Sequence, residues 1–284
     1  MIEAVISSIG YAGGVILDKI ILSVYLVPVR RFIPWLFIWL AAISVFAVYI
    51  FGGKLTSQVF EPHYLLLFLL MIVVAFTWNL YYYEGIQREE VHEFELVMLF
   101  APLATIVLAE IFLPTERSVT NFVAGTIASV ALLASRIDKR HLKLSRYWKQ
   151  LFVATFLIAV ETIIIKKLLT AYDPSVLYLV RTTVLALAFL AVYRPKLLQV
   201  SKKAFALTIA TAFFGVVQMI LKFYGFQSLG VVETTLILIL GPVLVYALSS
   251  FFFRERMQLR TGISAIVVLA CVIYITFISN NGFN

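Results

Sequence analysis

Cysteine, histidine and charge are all scarce in this chain. It has one Cys and three His in 284 residues, and Asp, Glu, Lys and Arg together make up 13%. A single cysteine excludes an internal disulfide, and Cys271 lies within an apolar run, where it reads as a small packing residue. His63, His92 and His141 fall in or near different connecting segments without zinc-ligand spacing, so no metal is expected. The sequence holds no nucleophile elbow and no phosphate-binding loop, which argues against an enzyme and against ATP-driven work by this chain; no cofactor is expected. A basic leader with a small-residue cleavage site is also missing, so no cleavable signal is expected. Few charges leave little with which to coat a soluble domain. The chain is 62% hydrophobic, with a mean hydropathy of +1.00.

What the chain has instead is long apolar runs. Ten are visible, near 3–27, 32–51, 63–83, 92–113, 118–135, 149–170, 175–193, 204–225, 231–253 and 259–279. Most have the roughly 20 residues that a helix needs to cross about 30 Å of hydrocarbon. Membrane β-strands would be about half that length and alternate in polarity. The expected fold class is therefore all-α integral membrane with ten transmembrane helices. The lipid bilayer is the expected partner. The net charge of +8 comes from basic residues flanking the runs, which suits lipid headgroups and topology better than nucleic acid, and no nucleic-acid partner is expected.

One segment occurs twice. Gly85, Gln87, Val91, Glu93 and Pro102 recur 140 positions later as Gly225, Gln227, Val231, Glu233 and Pro242. More weakly, Lys19 and Tyr25 recur 147 positions later as Lys166 and Tyr172. The polar stretch from Arg136 to Lys149 separates five runs from five. The expected organisation is a first five-helix repeat over 1–137, a basic connector over 138–148 and a second repeat over 149–284. An odd number of spans per half makes the second half enter the membrane in the opposite sense. The result is an inverted-topology repeat with a solute site between the halves. One chain holds both halves, so a monomer can be complete; a homodimer stays open.

Lys and Arg favour one set of loops, those after the odd-numbered runs, by roughly sixteen to four. The positive-inside rule then places both termini outside, and the expected location is a prokaryotic cell (inner) membrane.

Two five-span halves with a proline in each fourth span resemble the drug/metabolite transporter superfamily, EamA type. The motif reads Leu99-Phe100-Ala101-Pro102-Leu103 with Glu116 after the apolar stretch, then Leu240-Gly241-Pro242-Val243 with Glu255; Gly125 and Gly262 follow in the next spans. The resemblance covers nearly the whole chain. It implies a secondary transporter that moves a small metabolite or drug-like solute by alternating access. There are departures: Glu255 to Gly262 is shorter than Glu116 to Gly125, Pro114-Thr115 precedes Glu116, and family members often have cytoplasmic termini.

Ionisable and polar groups inside spans are costly unless paired or wet, so they mark candidate sites. Gly215, Gln218, Lys222 and Gly225 share one face of span 8, and Ala75, Trp78, Tyr82 and Gly85 share the equivalent face of span 3. Together these faces would line a substrate site of Trp78, Asn79, Tyr82, Gln218 and Lys222, with the lysine attracting an anionic group and the aromatics forming walls. The plainer alternative is that Lys222 snorkels to an interface, that Trp78 and Tyr82 belong to an aromatic belt and that Asn79 bonds a neighbouring helix. Glu161 and Arg181 would form a coupling or gating pair, or a fixed structural one. Asp18, Lys19, Lys166 and Lys167 read as interfacial anchors, and Glu84, Glu89, Glu90, Glu93 and Glu95 as a solvated acidic rim. Pro102 and Pro242 remove backbone donors and should kink spans 4 and 9. A membrane-embedded enzyme or lipid-handling protein is the alternative function, with that acidic rim as its one supporting feature.

Overall fold

The computed structural model describes residues 1–136, 146–194, 201–253 and eight positions of the last apolar run: 263, 266, 267, 269–271, 273 and 274. Most of the basic connector lies outside the described residues, as do Glu255 and Gly262. Every regular element among the described residues is helical. In chain order they are α1 (Ile2–Lys19), α2 (Val29–Phe51), α3 (Pro62–Arg88), α4 (Val91–Met98), α5 (Phe100–Phe112), α6 (Val119–Arg136), α7 (Arg146–Leu168), α8 (Pro174–Tyr193), α9 (Lys202–Ser228), α10 (Val231–Leu238) and α11 (Leu240–Phe253).

Local chemistry sets several of these boundaries. Asp173 caps α8 by accepting from the Ser175 amide at 2.9 Å, and Pro174 follows at the first helical position. Ser201 caps α9 by accepting from the Ala204 amide at 3.2 Å. Gly230, with φ +91°, supplies the positive-φ turn between α9 and α10 that only glycine adopts readily. A π-helical turn over Ile20–Val24 prolongs α1.

Among the described residues, five helical segments are long and apolar enough to cross a membrane: Ile2–Val24, Val29–Phe51, Pro62–Arg88, Pro174–Tyr193 and Lys202–Ser228. α7 has the length, at 23 residues, but carries Glu161, Lys166 and Lys167 among its apolar positions. The runs at 92–113 and 231–253, expected as single kinked spans, are each two helices. α4 ends at Met98 and α5 starts at Phe100; α10 ends at Leu238 and α11 starts at Leu240. Each junction lies just ahead of a proline, Pro102 or Pro242. Proline offers no amide to the residue four before it, Met98 or Leu238, and its ring crowds that carbonyl. The hydrogen-bond ladder therefore parts at the same relative place in both runs.

The helices pack in matching pairs. α1 lies along α9, and α3 lies along α7; α5 packs on α7, and α1 on α11; α2 packs on α8. α1 and α9 run antiparallel, because Ser7 Oγ donates to the Gln218 carbonyl while Gly10 and Gly13 approach Phe214, nearer the start of α9. Gly10 brings the two backbones together: a Cβ there would lie 3.1 Å from the Gln218 amide nitrogen and the Phe214 carbonyl oxygen. The outer faces remain apolar. Tyr49, Ile50, Leu66, Val73 and Leu187 are all more than 60% exposed, a surface suited to lipid rather than water.

Candidate functional site

A cavity of about 190 Å³ lies among the helices. α1, α2, α3, α5, α7, α8, α9 and α11 all contribute to its wall, with Met98, Thr235 and Leu238 from the short helices α4 and α10. Trp78, Asn79, Tyr82, Gln218, Lys222, Glu161, Arg181, Pro102 and Pro242 all line it. The structure thus brings every site residue expected from the sequence around one space.

Glu161 on α7 and Arg181 on α8 form an ion pair, Nε to Oε1 at 2.7 Å, with both side chains nearly fully buried. Trp78 on α3 donates from Nε1 to the other carboxylate oxygen at 2.6 Å. The Arg181 guanidinium also stands 5.9 Å from the Trp78 ring centroid. Both oxygens of Glu161 are therefore engaged, while Arg181 Nη2 is buried without a hydrogen-bond partner. Tyr82 stands edge-on to Trp78 at 5.9 Å. These two aromatics belong to the cavity wall, not to an aromatic belt.

Lys222 on α9 lies within electrostatic reach of both Glu161 and Arg181. Its ammonium stands 5.3 Å from the Phe226 ring centroid, and no carboxylate or hydrogen-bond acceptor among the described residues pairs with it. The cluster therefore holds two cations against one carboxylate. Asn79 spends an amide hydrogen on the Ala75 carbonyl of its own helix, at 2.7 Å.

Other residues depart from expectation. Asp18 is not an interfacial anchor: it is 5% exposed and lines the cavity with Tyr11 and Thr211. It closes a stripe of Gly10, Gly14 and Asp18 at four-residue spacing, the signal that could have placed it inside. Lys19 and Lys166 are held by protein: Lys19 donates to the Ile86 and Glu89 carbonyls at 2.9 and 2.5 Å, and Lys166 donates to the Phe226 carbonyl at 2.5 Å. Lys167 is exposed. Nor is the acidic rim solvated throughout, since Glu89 and Glu95 are buried and Glu95 accepts from the Tyr11 hydroxyl at 3.2 Å. The Glu93 side chain lies outside the described residues.

Glu116, the acidic end of the first family motif, sits against the start of α10. Its Oε2 accepts from the Val231 and Val232 amides at 2.6 and 3.3 Å, and Lys166 Nζ lies 3.0 Å from its Oε1. An anion at a helix N-terminus meets free amides and the positive end of the helix dipole.

Residues 148–277 match the model of the EamA-like transporter family. The resemblance read from the two proline motifs is borne out, and it is to a transporter family. A solved structure described as a crystal structure of a protein matches with a TM-score of 0.71 at 14% identity, covering 96% of this chain and 98% of that one. At that identity the likeness speaks for the fold alone. None of the curated proteins matches the chain. With its apolar helices and its EamA-like half, the chain is an integral, multi-pass membrane protein.

Proposed function

We propose that this EamA-like protein is a secondary transporter for a small anionic solute, working by alternating access between two inverted five-span halves, 1–137 and 149–284. The observation that carries the solute class is the unequal charge of one cluster on the cavity wall: Arg181 and Lys222 stand against Glu161, while Asp18, the other carboxyl of the cavity, lies beside Thr211 farther along α9. A half-buried cation without its own counter-charge inside a membrane-spanning helix is costly, and an incoming carboxylate, phosphate or sulfonate offsets that cost. Trp78 and Tyr82 offer flat apolar walls for the rest of the solute, and Asn79 and Gln218 offer polar contacts.

Three relationships support the repeat. The helix junctions at Leu99 and Ile239 are 140 positions apart. Lys19 reaches Ile86 as Lys166 reaches Phe226, with lysines 147 and acceptors 140 positions apart. The pairing of α1 with α9 is mirrored by that of α3 with α7. Positive loop charge supports a topology with both termini outside the cell.

A thermal-shift screen of the purified protein in detergent tests this reading, because a ligand that binds only the folded state raises its apparent stability. The panel sets carboxylates, phosphates and sulfonates beside their neutral and cationic analogues. Stabilisation by one anionic class that disappears in Lys222→Ala is expected. Stabilisation by neutral or cationic compounds alone, equal in wild type and variant, would remove Lys222 from the site and the anion from the proposal.

A further inference from the structure

The cavity holds a second charged group that the anion site does not use. Asp18 is buried, lines the cavity, and has no ion-pair partner among the described residues. Its Oδ1 is sealed from solvent without a hydrogen-bond partner. Thr211, across the α1–α9 contact, lies within interaction range of the carboxylate but outside hydrogen-bond geometry, and its Oγ1 is equally buried and unpartnered. Lys19, the adjacent cation in sequence, is occupied with the Ile86 and Glu89 carbonyls. The π-helical turn that follows, Ile20–Val24, is a distortion of the kind that gathers at functional sites.

The groups that face Asp18 from the elements packed on α1 do not neutralise it. α3 contributes Tyr82 and Tyr83, and α4 contributes Glu95 through the Tyr11 hydroxyl. α10 and α11 place Thr235, Leu238 and Pro242 on the cavity, none of them titratable. α9 contributes Lys222, but that residue is eleven positions beyond Thr211, roughly 16 Å along the helix. Asp18 of α1, beside Thr211, and Lys222 therefore mark two separate stations along α9.

We propose that Asp18 is a proton-binding site of the cavity, loaded and unloaded separately from the anion station at Lys222. A buried carboxylate with no cation beside it needs a counter-charge. A metal ion such as Ca²⁺ requires about six to eight oxygen ligands. Here the buried unpartnered oxygens lining the cavity are Asp18 Oδ1 and Thr211 Oγ1, and no group of three or more His, Cys, Asp or Glu among the described residues could hold a metal. A proton needs one oxygen. A hydronium ion that reaches the cavity passes its proton to the edge of the Asp18 carboxylate that lines it, forming an O–H bond and leaving water; release returns the proton to water, so the carboxyl cycles between neutral and anionic forms. The use of that proton to drive solute movement rests on the transporter reading; the binding itself does not.

Infrared spectroscopy of the full chain in lipid vesicles tests the binding without any solute. At neutral pH, where exposed carboxylates are ionised, the wild type should show a protonated-carboxyl C=O band that shifts in D₂O. The band is expected to vanish in Asp18→Asn and to persist in Glu95→Gln. A band unchanged in Asp18→Asn, or no such band in the wild type as the pH is lowered toward the onset of bulk carboxylate titration, overturns the proposal. Should Asp18→Asn fail to fold, Asp18→Glu serves, since it moves a band that belongs to this side chain and leaves any other in place. Replacing choline with sodium should leave the band intact; its loss would assign the site to a metal cation instead. Failure of the anion screen would leave these outcomes unaffected, so the two proposals fall separately.

Discussion

Arg181 donates from Nε to Oε1 of Glu161 at 2.7 Å, and the two side chains are almost wholly buried beside the cavity. A buried ion pair is hard to break singly, because the surviving charge has no water to fall back on. Glu161→Gln should therefore destabilise the protein by about 3–5 kcal/mol, and a double change to Gln and Met should cost less than the sum of the single changes. Denaturant unfolding of the four proteins measures the coupling. Additive losses would show that Trp78, which also donates to Glu161, carries the cluster instead.

The Glu116 carboxylate links three elements. It accepts from the first two amides of α10 and stands 3.0 Å from Lys166 of α7. Glu116→Ala removes charge-assisted hydrogen bonds and leaves helix-terminal amides unpaired, a loss of about 2–3 kcal/mol. Asp, one methylene shorter, should recover little of it. Hydrogen exchange is expected to rise first in α10, and an increase spread evenly over the protein would argue against a local cap.

Gly10 lets α1 approach the backbone of α9 closely. A methyl there meets backbone atoms of Phe214 and Gln218 at 3.1 Å, and backbone cannot turn aside as a side chain can. Gly10→Ala forces the two helices apart by a few tenths of an ångström and should cost stability, though less than a larger side chain does. Gly10→Leu overpacks the contact and should cost at least about 1–3 kcal/mol, read as a lower melting temperature and a lower yield of monodisperse protein. Because Asp18 lies two turns along the same stripe, the Leu variant should also disturb its infrared band.

Much of this arrangement is legible in the residues. Apolar run length gives the helical class, though the runs at 92–113 and 231–253 are each two helices, and the recurrence of Pro102 as Pro242 marks the two matching junctions. The polar faces of spans 3 and 8 place Trp78, Tyr82, Gln218 and Lys222 on one cavity. Asp18 is less legible, because it stands next to Lys19 near the end of an apolar run, where hydropathy alone predicts an interface. Its depth depends on α9 running antiparallel to α1 and covering it with Thr211, a long-range contact that local periodicity does not encode. Glu116 was legible as a motif position but not as a helix cap, since its partners lie 115 and 116 positions away.

Pro102 and Pro242 stand just beyond the two helix junctions and line the cavity, so a change at either should separate folding from movement. Pro242→Ala restores an amide donor opposite the Leu238 carbonyl and removes the ring that crowds it. The α10–α11 junction should then close toward a continuous helix, with stability equal to or slightly above that of the wild type. If bending at these junctions lets the halves rock about the solute, the straightened variant should bind the stabilising anion with unchanged affinity yet exchange it more slowly across vesicle membranes. The pair Pro102→Ala and Pro242→Ala should be slower than either alone, because each proline stands at one of the two junctions. Equal exchange rates in the wild type and the double variant, with binding intact, would make both breaks static packing features and place the hinge elsewhere.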